Sequence, residues 1–348
     1  MKALNLYGVG DLRLDDVTRP VPQSGEVLLK IRACGICGSD IPRVFSKGTY
    51  HFPTIIGHEF AGEIVEAEDA SLVGRGAAVF PLLPCGECEA CMSGRYAQCS
   101  HYDYYGSRRD GAMAEFLAVK RENLVLMPEG VSYEEAAMSE PAAVALHAFR
   151  KAKVGAGDTL VIFGVGPIAL IMAGWARDAG VKRTILVARS EEKVHFAQRL
   201  GFLETLDGTE IDVAAYVKRR TDGRGADACI EGTGISAGLE LSLLCARNFG
   251  RVVTLANPLG DMRITQTAYW QILRRELEVV GTWNSSFSRQ ENDWQAVMAA
   301  MRDKVIDVEP LITHRFRLSD YREAFRIMHE KTEMYCKVMF LAEEDWHE

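Results

Sequence analysis

The stretch TLVIFGVGPIALIMAGWA, residues 159–176, decides how the rest of the chain is read. Eighteen residues without a charge are long enough to span a bilayer. Gly164, Gly166 and Pro167 interrupt the middle, however, and Arg177 and Asp178 follow at once. The stretch therefore reads as a short apolar strand, DTLVIFG (158–164), a tight turn, and a helix opening at PIALIMAGWARDAG (167–180). FGVGPIA (163–169) fits G-x-G-x-x-G/A, with Ala169 in the third place. In that motif Gly164 makes the turn, and Gly166 lets a pyrophosphate approach the backbone at the helix N-terminus. The small Ala169 permits helix–strand packing. Pro167 and Ile168 open the helix and belong to the same candidate cofactor turn. An ordinary βα turn has the same look, so the motif gains force only from its surroundings.

Outward from that turn the chain alternates. RTILVAR (183–189), ADACIEGTG (226–234), RVVTLAN (251–257) and ELEVVGTW (276–283) are short apolar runs. SEEKVHFAQRLG (190–201) and SAGLELSLLCARNFG (236–250) are helix-like and lie between them. Alternating buried strands and helices predict βαβ units on a parallel sheet. Residues 147–285 are assigned to this doubly wound domain. Residues 1–146 read as β-rich, with EVLLKIRACG (26–35) and AGEIVEA (61–67) as strands, followed by a helical run at 134–152. Residues 286–348 hold two amphipathic helices and a final strand, KVMFLAE (337–343), and are expected to rejoin the first domain.

Forty basic and forty-eight acidic side chains among 348 residues give a net charge of -8. With 48% hydrophobic and 25% charged residues the chain is of ordinary globular composition. An acidic chain without a basic cluster excludes nucleic acid and anionic membranes as natural partners. MKALNLYGVGDLRLDD, at the start, has no signal-peptide pattern, which makes the cytoplasm the expected compartment.

Nine cysteines, an odd number, argue against a disulfide framework. Cys85, Cys88, Cys91 and Cys99 form C-x2-C-x2-C-x7-C, a set that satisfies tetrahedral zinc with no open position. An iron–sulfur cluster is the rival, disfavoured by the distant fourth cysteine and the lack of a following proline. A second candidate metal site is scattered along the chain. CGICGSD (34–40) offers Cys37, GHEF (57–60) offers His58, and SEP (139–141) offers Glu140. Three such ligands leave the fourth place of a zinc ion open to water or substrate. Glu59 could ligate or support from behind, and Cys34 is assigned to the core.

The end of the second strand of the alternating block bears on the cofactor. NAD sites place an acid there for the ribose hydroxyls. This chain has Ala188, Arg189 and Ser190 instead, which suits a 2′-phosphate and favours NADP(H) over NAD(H). In the opposite reading Arg189 is solvated and Glu191 or Glu192 takes the ribose.

Cys37-Gly38-Ser39-Asp40, Gly57-His58-Glu59, the four-cysteine loop, Glu140-Pro141 and Gly164-x-Gly166 occur in the order found in zinc-containing medium-chain alcohol and polyol dehydrogenases, which the chain resembles over nearly its whole length. SDIPRVF (39–45), FPLLPC (80–85) and HYDYYGSRRDG (101–111) look like segments of the sorbitol and polyol-phosphate branch. The resemblance implies an α/β architecture in which a GroES-like catalytic domain accompanies a Rossmann domain. It also implies one catalytic and one structural zinc per chain, and a homodimer or homotetramer. Cys37, His58 and Glu140 would be the catalytic-zinc ligands, with Glu59 beside them. The usual cofactor of that branch is NAD, from which the missing strand-end acid departs.

The expected chemistry is hydride transfer between a secondary alcohol and a nicotinamide, with zinc easing loss of the hydroxyl proton. Ser39 is placed to pass that proton on, and Tyr50 or His51 could extend the relay. Alternatively Ser39 caps a helix. The substrate is a polyol, a polyol phosphate or the alcohol of a sugar acid. Arg43, Arg108 and Arg109 are candidates for clamping an anionic group, unless Arg108 and Arg109 pair with Asp103 or Asp110.

Overall fold

The computed structural model describes residues 1–343, which form two compact units. One comprises Val144–Ser285; the other joins Met1–Ala143 to the chain from Ser286 onward.

In the continuous unit, the uncharged stretch becomes the strand Thr159–Phe163, buried along its whole length, and the helix Pro167–Asp178. The run lacks alternation because a central parallel strand is covered on both faces. The turn between them depends on glycine: Gly164 has φ +118°, and its N–H donates to the Val187 carbonyl at 2.9 Å. Six parallel strands form one sheet in the order Thr205–Asp207, Arg183–Ala188, Thr159–Phe163, Ala226–Glu231, Ala246–Thr254, Glu278–Gly281. By chain position this order is 3-2-1-4-5-6, so the strand order reverses between Thr159–Phe163 and Ala226–Glu231. Crevices at such reversals are where doubly wound sheets bind dinucleotides. Val161, Phe163, Ile185, Val187, Cys229 and Val252 lie in this unit's core.

The discontinuous unit is built on the strand Glu26–Ile36. Its first half pairs with Phe116–Lys120, and it runs antiparallel to Glu59–Ala67 on one side and Lys337–Leu341 on the other. Glu59 is thereby opposite Gly35, and Val338 opposite Ile36. Three segments far apart in sequence thus meet at the end of one strand, where Cys37 follows. No helix of the described chain is long and apolar enough to cross a membrane.

The helical run at 134–152 divides at Met138 into Tyr133–Ala137 and Ser139–Ala152. The first piece has a capping box: Ser132 Oγ accepts from the Glu135 N–H, and the Glu135 carboxylate accepts from the Ser132 N–H. The division starts a new helix at Ser139 and places Glu140 in its first turn.

Candidate functional site

Strand pairing gathers the donors of Cys37, His58 and Glu59, whose ligand atoms all lie within 4.8 Å of one another. His58 and Glu59 are 3% and 2% exposed. His58 is held by a close backbone contact. Gly57 has φ +101°, and a Cβ there would meet Cys34 Sγ at 2.9 Å and Met113 Cγ at 2.7 Å. Side chains at Gly106 or Gly111 would strike the Gly57 backbone.

Asp40, three residues after Cys37 and fully buried, ties the ligands together. Its Oδ2 accepts the Cys37 N–H at 2.9 Å, and its Oδ1 lies 2.7 Å from Arg43 Nη1 and 3.6 Å from His58 Nδ1. His58 Nδ1 faces both Asp40 Oδ1 and, at 3.5 Å, Arg43 Nη1, which leaves Nε2 as the ring nitrogen turned away from this pair. Arg43 Nη1 also donates to Ser39 Oγ at 3.0 Å. Guanidinium only donates, so Ser39 is the acceptor there and keeps its own hydrogen to give elsewhere. Ser39 caps the short helix Asp40–Pro42 by position but makes no side-chain cap bond. Asp40 is a residue that sequence reasoning passed over, because an aspartate at the start of a turn is common for local reasons.

Glu59 has a second partner that the sequence did not signal. Lys337, from the final strand and only 4% exposed, donates to Glu59 Oε2 and, at 3.2 Å, to the Ile36 carbonyl. Burial works against the Lys337 charge; Glu59 and then Cys37 outweigh it, so its pKa is raised. A Cβ at Gly35 would collide with the same Glu59 carboxylate, which explains a glycine inside this strand.

Glu140 is buried beside this group but falls outside the 4.8 Å set. Tyr104 donates its hydroxyl hydrogen to Glu140 Oε1 at 3.4 Å, and the Tyr104 ring meets His58 edge-on at 5.7 Å. Burial, opposed by His58 and reinforced by Glu59, pushes the Glu140 carboxyl up to about 7. Burial, then Glu59 and Asp40, push the Cys37 thiol up to about 12. A thiol, an imidazole and two carboxylates crowded out of water fit a divalent cation, which would reverse both shifts. Cys34 lies in the core.

The sulfurs of Cys85, Cys88, Cys91 and Cys99 also lie within 4.8 Å of one another. Cys85 Sγ and Cys88 Sγ stand 3.9 and 3.5 Å from Cys91 Sγ. A tetrahedron of thiolates around zinc, at about 2.3 Å each, has edges of about 3.8 Å. Backbone N–H groups of Cys91 and Ser100 hold the Cys88 thiol down to about 6, while burial pushes Cys91 up to about 12. All nine cysteines are free of disulfides. This donor set fits a closed structural zinc.

In the other unit, Gly166 caps the helix Pro167–Asp178, with Pro167 and Ile168 in its first turn. A Cβ at Gly166 would touch nothing within 4 Å, so the helix N-terminus is open to a phosphate. At the next strand tip, Glu231 is 1% exposed and its Oε1 accepts from the Thr233 hydroxyl at 2.5 Å, the Thr233 N–H at 2.7 Å and the Gly234 N–H at 2.9 Å. Glu231 thus shapes the loop across the strand-order reversal, an organising acid that a strand-like reading of ADACIEGTG did not single out. Arg189 is exposed, and Ser190 caps the helix Glu191–Arg199 by accepting the Lys193 N–H at 3.4 Å. Asp207 is opposite Ala188 in register, and its Oδ1 is taken by the Thr209 N–H and hydroxyl at 2.8 and 2.6 Å.

The three candidate anion-binding arginines differ. Arg43 is committed through Nη1 to Asp40, and Arg109 to Asp103 at 2.7 Å. Asp110 accepts the Ile55 N–H at 2.9 Å. The Arg108 guanidinium lies over the rings of Tyr50 and Tyr102, at 4.0 and 4.5 Å from their centroids, and its Nη2 donates to the Tyr50 hydroxyl at 3.2 Å. The His51 ring nitrogens face the carbonyls of Pro53 and Arg108, both at 3.1 Å. Among the described residues no hydrogen bond links Ser39 to Tyr50 or His51.

Comparison with known proteins agrees with both halves. Residues 23–129 match the alcohol dehydrogenase GroES-like domain and residues 164–303 the zinc-binding dehydrogenase domain. The chain is 32% identical to galactitol 1-phosphate 5-dehydrogenase of Escherichia coli (strain K12) over 90% of its own length and 91% of that protein's. The crystal structure of galactitol-1-phosphate dehydrogenase from Escherichia coli superposes with a TM-score of 0.91 at 31% identity, covering 98% of this chain and 100% of that one. A zinc-binding dehydrogenase from Sinorhizobium meliloti 1021, solved bound to NADP, matches at TM-score 0.89 and 28% identity over 98% of this chain and 99% of its own.

Proposed function

We propose, from the premise that this chain belongs to the zinc-binding alcohol dehydrogenase family, that it transfers a hydride between a secondary alcohol of a polyol or polyol phosphate and NADP(H). The observation that carries this reading is the convergence of Cys37, His58 and Glu59 within 4.8 Å, with Glu140 buried beside them. Two zinc ions per chain are part of the proposal: a catalytic one for which Cys37, His58, Glu59 and Glu140 are the ligand candidates, and a structural one on Cys85, Cys88, Cys91 and Cys99. When bound, the catalytic zinc polarises the substrate oxygen and eases its deprotonation, and the nicotinamide accepts or gives the hydride.

The chain's own residues do the rest. Asp40 orients His58 and Cys37, and Lys337 fixes one oxygen of Glu59. Ser39 Oγ, held by Arg43, is assigned to accept the substrate's hydroxyl proton in oxidation while giving up its own hydrogen to solvent water, and to run the same exchange backwards in reduction. Gly164 and Gly166 let the pyrophosphate reach the helix N-terminus. Arg189 and Ser190 are assigned to the 2′-phosphate, which the NADP of the Sinorhizobium meliloti relative supports. The proposed setting is cytoplasmic, as a homodimer or homotetramer.

The test is a panel of polyols and polyol phosphates with NADP and NAD, run on wild type, Cys37→Ser and Arg189→Ala. We expect Cys37→Ser to lower kcat by orders of magnitude while the protein stays folded. Arg189→Ala should weaken kcat/KM for NADP by about 10-fold or more relative to NAD. Near-normal turnover of Cys37→Ser removes the metal site from the mechanism, and a wild-type preference for NAD removes the cofactor assignment.

A further inference from the structure

The structure sets one cation apart from the others around the metal-ligand cluster. Arg43 and Arg109 each have a carboxylate at 2.7 Å, whereas Arg108 has none within ion-pair reach among the described residues. Its guanidinium instead contacts the rings of Tyr50 and Tyr102 and donates to the Tyr50 hydroxyl. The loop carrying it is clipped in place as His51 Nε2 meets the Arg108 carbonyl at 3.1 Å. A guanidinium already in contact with two rings gives up part of its rotamer freedom before it binds anything, and no carboxylate among the described residues neutralises its charge.

Its position is equally specific. Tyr102 contacts Tyr104 at 6.3 Å between centroids, and Tyr104 touches both His58 and Glu140. Arg108 is therefore the outer end of an aromatic ladder whose inner end is the metal-ligand cluster. An arginine without a carboxylate partner at the outer end of such a ladder suits an oxyanion. We infer that Arg108 is the residue that reads a terminal phosphate on the substrate, making the preferred substrate class polyol phosphates over free polyols. This rests on the dehydrogenase reading above and narrows it.

The experiment compares galactitol 1-phosphate, galactitol and L-idonate. Binding is measured calorimetrically in the presence of reduced cofactor, where no turnover occurs, and turnover is measured separately with oxidised cofactor. Wild type should bind galactitol 1-phosphate more tightly than galactitol. Arg108→Met should cut that ratio of affinities about 10- to 100-fold, the size expected for losing charge-assisted hydrogen bonds. Arg108→Lys, which keeps the charge but not the fork, should restore part of the ratio. Melting curves confirm that both variants are folded. Equal affinity of wild type for the phosphorylated and free polyol overturns the inference, as does an unchanged ratio in Arg108→Met. Tighter binding of L-idonate than of galactitol 1-phosphate overturns the phosphate assignment. Oxidation of polyols with no preference for phosphate sinks this inference while leaving the dehydrogenase reading intact. Arg108-dependent phosphate binding without oxidation of any polyol does the reverse.

Discussion

Replacing Lys337 with methionine probes the least expected contact of the metal-ligand cluster. The side chains are similar in length, so the substitution removes a charge and little volume. Lys337 and Glu59 are 4% and 2% exposed, and Lys337 supplies the cation that Glu59 Oε2 meets. Stripping one partner from a buried pair of this kind costs about 3–5 kcal/mol, because the remaining charge is left unpaired. For a unit of this size, each kcal/mol corresponds to roughly 2–4 °C in melting temperature, giving an expected drop of about 6–20 °C. The loss should be largest in zinc-depleted protein, where Glu59 has no cation to turn to, and smaller once zinc is restored. The assay is calorimetric melting of wild type and Lys337→Met, each zinc-depleted and zinc-reloaded, with metal content determined on the same samples. A zinc-depleted variant melting within about 2 °C of zinc-depleted wild type would refute the reasoning.

Three further outcomes follow from the same geometry. The Glu140 carboxyl, raised to about 7 by burial, favours the folded state when protonated, so zinc-depleted protein should lose about 3 kcal/mol as pH rises from about 4.5 through 7; Glu140→Gln should flatten that slope in urea unfolding at pH 5 and pH 8. Cys88→Ser should remove one zinc per chain by elemental analysis and lower the melting temperature; an unchanged value would count against a structural ion. Gly111→Ala drives a methyl group into the Gly57 backbone and should cost about 1–3 kcal/mol and displace His58, lowering zinc affinity; full zinc retention with an unchanged melting temperature would show that the close approach is dispensable.

The doubly wound sheet is legible from residues 159–283 because parallel strands covered on both faces leave unbroken apolar runs, and each partner follows within one helix. The four-cysteine loop is legible because its ligands are local. The other cluster is only half visible. Cys37 and His58 announce themselves by type, but the pairing of Glu59 opposite Gly35, which makes it the third member of the 4.8 Å set, depends on register across a long loop. Lys337 looks like the polar start of a terminal strand, and nothing local ties it to a residue 278 positions earlier. Arg108 and Arg109 are neighbours of one chemical type, and the turn that carries them sends Arg109 to Asp103 and Arg108 onto the rings of Tyr50 and Tyr102. That division depends on the loop's path, which composition does not encode.

The strand that carries Lys337 is threaded between Glu26–Ile36 and Ile312–Arg317 in the same sheet. During synthesis, Cys37, His58 and Glu59 leave the ribosome long before that strand does. The intervening Val144–Ser285 is complete in itself and free to fold first. Until the last stretch of the chain emerges, Glu59 lacks its lysine and the founding sheet has an open edge. A chain interrupted before residue 337 would therefore leave Glu59 without its lysine and the Ala33–Ile36 end of the founding strand without its partner.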